Sequence, residues 1–492
     1  MIVASNKVKY FLYFLPSFLF IAWLFFSFFV VDRYLSPIDE YHVFKMRSDG
    51  FDFFSFIFPD SGRFFPLNGW FPNLISYYVS EVKYLFINNL LLACVLVYLI
   101  YKITKLKNFH ALDNSNNSII VFLLVTALFI SPGIAAAFSR LFVPEKELIV
   151  LMSLLVILTN KYNNRYSENI FLVCVVSASL LFKESFVIIV LFSSIFFFIF
   201  GKNEYSFYRV YAYILMLLGI TWVTLYFSIL NVNQSSSYID LNFSGLLYRS
   251  LLNFFKYSIA DPFAMYGTLI LGAVNLRRIL VAKKFSSISI LQISTIPFLF
   301  FYLSIDRFNY YYLLPIYPII LASAFDNAYI FNRNLALRKY FYIAIFAVYS
   351  LVFPIFTYLN LYYFNIQLSN EILLNKILVT EIASTICLEG VGDNSEAVHS
   401  LQVFLKARNS NNKIVSGPCG IEQDFIVIPP NSAVQPDTLT KLRKYYNEFL
   451  ASDMRLAIPN YSLFGIVRDY TKTGALISEN SLPYFKVFSK EK

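Results

Sequence analysis

The sequence predicts an all-α membrane bundle of about eleven transmembrane helices, followed by a small extracytoplasmic α/β domain. Three observations carry that prediction. Hydrophobic residues make up 58% of the chain and charged residues only 14%, with a mean hydropathy of +0.60; a soluble globule has roughly 25% charged residues to keep its surface wet. Apolar runs of about 18–22 residues recur through residues 1–360, each long enough to cross a hydrocarbon core roughly 30 Å thick as a helix. Lys and Arg gather at alternate ends of these runs, as the positive-inside rule requires. The formal net charge of +10 therefore belongs to membrane loops, and nucleic acid is excluded as a partner.

The first run, 10–31, follows Lys7 and Lys9. It is long for a signal-peptide core and no small-residue cleavage site follows it, so it is read as a retained helix with a cytoplasmic N-terminus. A polar stretch, 32–83, forms the first extracytoplasmic loop. Further spans fit at 84–101, 118–138, 148–159, 169–182, 186–200, 210–230, 265–282, 287–304, 313–331 and 340–359. Three are short enough to be half-helices. The inside loops then hold Lys102, Lys105 and Lys107, Lys161 and Arg165, Lys202 and Arg209, Arg277, Arg278, Lys283 and Lys284, and Arg333, Arg338 and Lys339. The short outside loops hold only Arg140, Lys146, Lys183 and Arg307. This register makes residues 1–360 the membrane domain and sends the tail, 361–492, to the extracytoplasmic side.

The tail gains Gly, Asp, Asn and Ser, with strand-like runs at 425–428 and 484–488 and an amphipathic helix over 438–451. Of the four cysteines, Cys94 and Cys174 lie in apolar runs and read as small core residues. Cys387 and Cys419 lie in the tail, where they could pair in an oxidising compartment. No repeat of fixed period is visible, which argues against an inverted-repeat transporter.

Ionisable groups are costly at membrane depth and tend to face an interior cavity. Four clusters fall on the outside. Asp39-Glu40 follows the first span; adjacent carboxylates there can act as a general base, hold a divalent cation, or merely begin a solvated loop. His42 nearby reads as interfacial. In Asp60-Ser61-Gly62-Arg63-Phe64-Phe65-Pro66-Leu67, Arg63 either grips a phosphate bidentately or closes a turn with Asp60. Lys183-Glu184-Ser185 interrupts an apolar stretch where a hairpin tip would more commonly use Gly, Pro or Asn. The fourth, from Asp306-Arg307 through Asn309-Tyr310-Tyr311-Tyr312 to Pro315 and Pro318, could be an aromatic belt. Its Leu-Pro-x-x-Pro run also bends a helix start and frees backbone groups that need partners. Glu145, in Val143-Pro144-Glu145-Lys146-Glu147, reads either as a charge snorkelling from a helix end or as a further acidic contact.

Taken in order, these clusters resemble the GT-C superfamily of membrane glycosyltransferases, in the branch with protein O-mannosyltransferases and the lipid A aminoarabinose transferase. The resemblance covers residues 1–360. It rests on the acidic pair Asp39-Glu40, the Arg63-x-x-Pro66-Leu67 element, Lys183-Glu184 with Phe182 in place of the usual Ser, and Tyr310 through Pro318. Where the family has Arg immediately before the tyrosine this chain has Asn309, and Arg307 is the candidate to supply that charge. The resemblance implies a sugar donor carried on a polyprenyl phosphate, which enters from the lipid bilayer, and an inverting transfer to a glycan, lipid or protein acceptor. It implies Asp39 as general base with Glu40 beside it, Arg63, Lys183 and Arg307 on the donor phosphate, and Glu184, Tyr310, Tyr311 and Glu145 against substrate. No cofactor is implied beyond a candidate divalent cation at Asp39 and Glu40. The expected location is the bacterial inner membrane. A surface-polysaccharide polymerase or ligase is the nearest alternative and predicts a large loop between late helices; a transporter predicts internal repeats.

Overall fold

The computed structural model describes residues 6–30, 57–58, 63–79, 81–106, 115–201, 207–229, 245–283, 286–305, 309–327, 339, 343–350, 352–357, 359–360, 367, 383–390, 398, 401–402, 405, 410–420, 422–428, 436–449 and 486–490. Helices dominate up to residue 360. α1 (Asn6–Phe25) continues through one π turn, Phe26–Val30. A two-stranded ribbon, β1 (Ile57–Phe58) and β2 (Arg63–Phe64), and the helices α2 (Trp70–Tyr78) and α3 (Val82–Leu85) lead into α4 (Ile87–Thr104). There follow α5 (Ser115–Phe129), α6 (Pro132–Phe138), α7 (Glu145–Lys161), α8 (Tyr166–Phe182), α9 (Phe186–Phe200) and α10 (Phe207–Ile229). The series ends with α11 (Leu246–Ala260), α12 (Pro262–Leu280), α13 (Ser287–Ser304) and α14 (Tyr317–Asp326). A further apolar helix covers Ile343–Thr357.

Each expected span overlaps a helix among the described residues, because a chain in lipid must satisfy its backbone hydrogen bonds internally. Length and composition are another matter. Among the described residues, three helices are long and apolar enough to cross a membrane, or up to five if each bent pair is one span. Several expected boundaries need correction. The span at 118–138 is two helices bent by 46°, broken where the Ser131 hydroxyl accepts from the Ile134 N–H at 3.2 Å and Pro132 starts a new helix. Such a Ser-Pro pair is a strong helix start. The span at 265–282 begins earlier, at Pro262, behind the Asp261 cap on the Ala264 N–H at 3.1 Å. Before it lies α11, which the sequence reading omitted; it meets α12 at 108°. α7 is longer than its expected 148–159.

Cys94 and Cys174 are corrected outright: both are exposed on the helix surface rather than in the core. In a bundle surrounded by hydrocarbon, an apolar residue gains nothing by turning inward, so apolarity alone does not choose the buried face.

α13 is the most enclosed of the three long helices. It buries Ser294 and Thr295, whose hydroxyls return to the Ile290 and Gln292 carbonyls at 2.9 and 2.6 Å. At the end of the bundle carrying the C-terminus of α12, Asn275 donates to Ser323 Oγ at 2.7 Å and accepts from Ser289 Oγ at 2.9 Å and Asn327 at 3.1 Å. Beside this network Arg278 and Asp326 form an ion pair at 2.5 Å. The opposite end holds the first residue of α7, the α8–α9 corner and the C-terminus of α13.

The tail contains a five-stranded mixed sheet in the order β4-β3-β5-β7-β6. β3 (Thr385–Glu389), β4 (Lys413–Gly417) and β5 (Phe425–Ile428) run parallel, while β6 (Asn447–Phe449) and β7 (Lys486–Ser489) add antiparallel pairs. Cys387, Ile426, Ile428 and Phe488 face α15 (Pro436–Tyr445) through Leu442, with Tyr446. Ile386, Leu388, Val427 and Val487 point the other way and join the main apolar cluster. The expected strand at 425–428 is thus present. The expected helix 438–451 stops at Tyr445, because the chain turns there to pair as β6.

Candidate active site

α8 and α9 meet at three residues, Lys183-Glu184-Ser185, instead of running on as one helix. The turn is tight: the N–H groups of Phe186, Val187 and Ile188 donate to the carbonyls of Lys183, Glu184 and Ser185, each at 3.2 Å. This fixes the Lys183 side chain over the end of the bundle. Its ammonium lies 3.6 Å from Glu145 Oε1 of α7, and 5.6 and 5.5 Å from the ring centroids of Phe65 and Tyr312. An ammonium over two aromatic faces gains from both quadrupoles. Next to it the hydroxyls of Ser185 and Tyr302 share a hydrogen bond of 2.6 Å, and the Tyr302 ring stacks on Tyr312 at 4.9 Å.

Three of the elements singled out in the sequence therefore converge. The Phe65 ring comes from the Arg63–Leu67 element, which is also tied to α8 by the Leu67 N–H donating to the Leu181 carbonyl at 3.3 Å. Tyr312 comes from the tyrosine-proline element, whose turn Leu314–Ile316 opens α14. Burial alone would lower the pKa of Lys183, a corner residue between the helical spans; the carboxylates of Glu145 and Glu184, with Tyr302 and Tyr312, outweigh it and hold the group above the usual lysine value.

Glu145 is corrected from a snorkelling helix-end charge: it is 1% exposed and its partner is Lys183. Neither of its oxygens makes a hydrogen bond, nor does the buried Oε2 of Glu184. The neighbouring Lys146 is also fully buried. It turns the other way, donating to the carbonyls of Arg140, at 2.9 Å, and Leu141. The α6–α7 corner is further held by Asn89 of α4, whose amide donates to the Phe138 and Arg140 carbonyls at 2.8 and 2.9 Å. This corner brings in a cation that the sequence reading counted only as a loop charge. The Arg140 guanidinium lies 5.9 Å from the Tyr311 ring centroid, so Tyr311 marks a second cationic position beside the first. Tyr310 is packed with Ala135, Ala136 and Ala260. No local motif distinguishes Arg140; only the fold places it there.

Asp39, Glu40 and Arg307 lie outside the described residues, as does the Arg63 side chain, although the Arg63 backbone is part of β2. Among the described residues, no group of three His, Cys, Asp or Glu side chains could hold a metal ion. In the tail, Cys387 and Cys419 are joined as a disulfide with their Cα atoms 5.9 Å apart. It lies at the C-terminal ends of the parallel strands, where Glu389 accepts from the Cys419 N–H at 2.6 Å.

No family model matches the chain, and no curated protein does. Among solved structures the chain is similar to ArnT from Cupriavidus metallidurans, crystallised with undecaprenyl phosphate bound. The two are 12% identical with a TM-score of 0.45, over 88% of this chain and 95% of that one.

Proposed function

We propose that the chain is a membrane glycosyltransferase that moves a sugar from a polyprenyl-phosphate donor to a glycan, lipid or protein acceptor on the extracytoplasmic face, with inversion. The observation that carries this reading is the convergence of the Arg63–Leu67 element, the Lys183 corner and the tyrosine-proline element around one half-buried ammonium. The positive-inside register expects these motifs on a common side; their packing supports a common centre.

The chemistry asks for fixed positive charge at a leaving phosphate. Asp39 takes the proton of an acceptor hydroxyl, the oxygen attacks the anomeric carbon, and the bond from that carbon to the phosphate oxygen breaks. The polyprenyl phosphate leaves with one more negative charge than the donor phosphate carried. Cations already in place stabilise that charge as it develops, with no reorganisation at the moment of reaction. Lys183 is such a cation, Arg63 and Arg307 are its expected companions, and Arg140 is a fourth. Glu40 orients the acceptor or tunes Asp39, since neighbouring carboxylates resist ionising together. Glu184, Tyr310 and Tyr311 line the substrate side. The disulfide in the tail supports an extracytoplasmic location, because such bonds persist in oxidising compartments. The membrane in which the chain acts is, on this reading, the bacterial inner membrane, and Lys7 and Lys9 before the first span assign the N-terminus to the cytoplasm.

The test is transfer of labelled sugar from a polyprenyl-phosphate donor by the purified full chain in liposomes. Lys183→Ala is expected to lower kcat by about 100-fold or more, the usual cost of removing one stabiliser of developing charge. Undiminished transfer by Asp39→Asn sinks the base assignment, and absence of donor turnover by the unaltered chain with every acceptor class sinks the reading. Repeating the assay with a chelator decides whether a divalent cation acts at Asp39 and Glu40.

A further inference from the structure

A purely structural ion pair at a buried carboxylate usually saturates both of its oxygens, because an unpaired buried polar atom is costly. The Glu145–Lys183 pair does not: Glu145 is 1% exposed, Oε1 faces the ammonium at 3.6 Å, and neither oxygen makes a hydrogen bond. The ammonium is meanwhile confined from two further directions by Phe65 and Tyr312. Its stem leaves a rigid corner, and Glu145 is the first residue of a helix whose N-terminal turn is itself pinned through Lys146 and Asn89. Neither partner is on a mobile arm. The pair is weakly bonded but closely held.

We infer that Glu145 is a positioning residue, which fixes the Lys183 ammonium between the Phe65 and Tyr312 rings so that it meets the phosphate of a polyprenyl-linked substrate. This rests on the transferase reading above and replaces the substrate contact first expected of Glu145. The carboxylate draws the ammonium to one place and counters the desolvation that by itself would lower its pKa. The 3.6 Å separation, longer than a tight charge-assisted bond, leaves the ammonium protons able to turn to an incoming oxyanion. Among the described residues, the titratable groups facing Lys183 are Glu145 of α7, Glu184 beside it, Tyr302 of α13 and Tyr312 ahead of α14.

Two readouts on the full chain test this. In the first, a pulse of acetic anhydride labels lysines across a pH series, and Lys183 modification is quantified by peptide mass spectrometry. The Glu145→Gln variant is expected to shift the Lys183 labelling midpoint down by about two pH units, the scale of a buried lysine without its counter-charge. Glu145→Asp is expected to recover most of that shift. An unchanged midpoint in Glu145→Gln overturns the inference. If that variant aggregates, Glu145→Asp gives the same test with a smaller displacement. In the second, kcat/KM for the donor is compared with the unaltered chain at each pH. The ratio of Glu145→Gln to wild type is expected to fall as pH rises, because its lysine loses its proton within the working range, and KM is expected to rise more than kcat falls. A ratio that is low but flat with pH means that Glu145 touches substrate directly, which also overturns the inference. The labelling readout needs no substrate. A wild-type chain that shows the labelling shift on mutation but no sugar transfer refutes the transferase reading and the phosphate role, and shows that Glu145 holds Lys183 for something else.

Discussion

Asn89→Leu probes the corner that places Arg140 and Glu145. Asn89 is fully buried and its amide spans two carbonyls, those of Phe138 and Arg140. Leucine has a similar branched shape, so the change removes donors rather than volume. The two carbonyls are not equivalent. The Arg140 carbonyl keeps the Lys146 ammonium at 2.9 Å, so its loss is one net hydrogen bond, about 0.5–1.5 kcal/mol. The Phe138 carbonyl belongs to the last turn of α6, where no intrahelical partner exists; left dry, it costs about 1–3 kcal/mol. The sum is about 1.5–4.5 kcal/mol. Detergent-solubilised membrane proteins commonly unfold irreversibly, so the quantity to measure is the half-life of the monodisperse species at fixed temperature. At about 1.4 kcal/mol per factor of ten, the half-life is expected to shorten by about 10-fold to about 1,000-fold, and by less if the unfolding transition state keeps the contact. Leu91→Ala, on the exposed face of the same helix, sets the baseline. A half-life within about twofold of wild type would show that the two carbonyls are satisfied without Asn89, and would refute this account of the corner.

Three further outcomes are expected. A Cβ on Gly133 would sit 3.1 Å from the Tyr310 carbonyl oxygen, which is backbone and cannot swing aside; Gly133→Ala should cost about 1–3 kcal/mol and raise the donor KM by displacing the tyrosine element, and an unchanged KM would detach that element from the donor site. Cys387 and Cys419 are 32 residues apart, and a closed loop of that size stabilises by about 3–4 kcal/mol on chain entropy. Cys387→Ser should therefore hasten proteolysis of the tail while the bundle stays intact, and identical digestion with and without reductant would contradict this. Arg278→Met leaves Asp326 buried without its partner, at about 3–5 kcal/mol, and should shorten the half-life more than the double change with Asp326→Leu; equal effects would show that the pair is not coupled.

The positions of the helices were legible because lipid imposes one requirement, apolar length, that hydropathy reads directly. The break at Ser131-Pro132 was also legible in principle, since a capping hydroxyl before proline is a local signal. α11 was not, because Arg249, Asn253 and Lys256 dilute its apolar residues below any spanning threshold while its apolar stripe remains. Facing was equally hidden: helices as uniformly apolar as α4 and α8 carry no stripe from which to place Cys94 or Cys174. At the site, the motif residues could be listed but not joined. Glu145 and Lys183 sit on different helices with no local spacing to link them, and their pairing is a product of how α7 packs against the α8–α9 corner. Arg140 was passed over for the same reason.

The order of strands in the tail has a consequence for how the molecule is made. β7 lies between β5 and β6, yet it is contributed by residues later in the chain than either. Until it arrives, β6 has no neighbour in the sheet and α15 covers an incomplete floor. The sheet is thus completed last, after the helices have been laid into the bilayer. The tail therefore stays an open thread until β7 arrives, and that strand acts as a key that closes the domain.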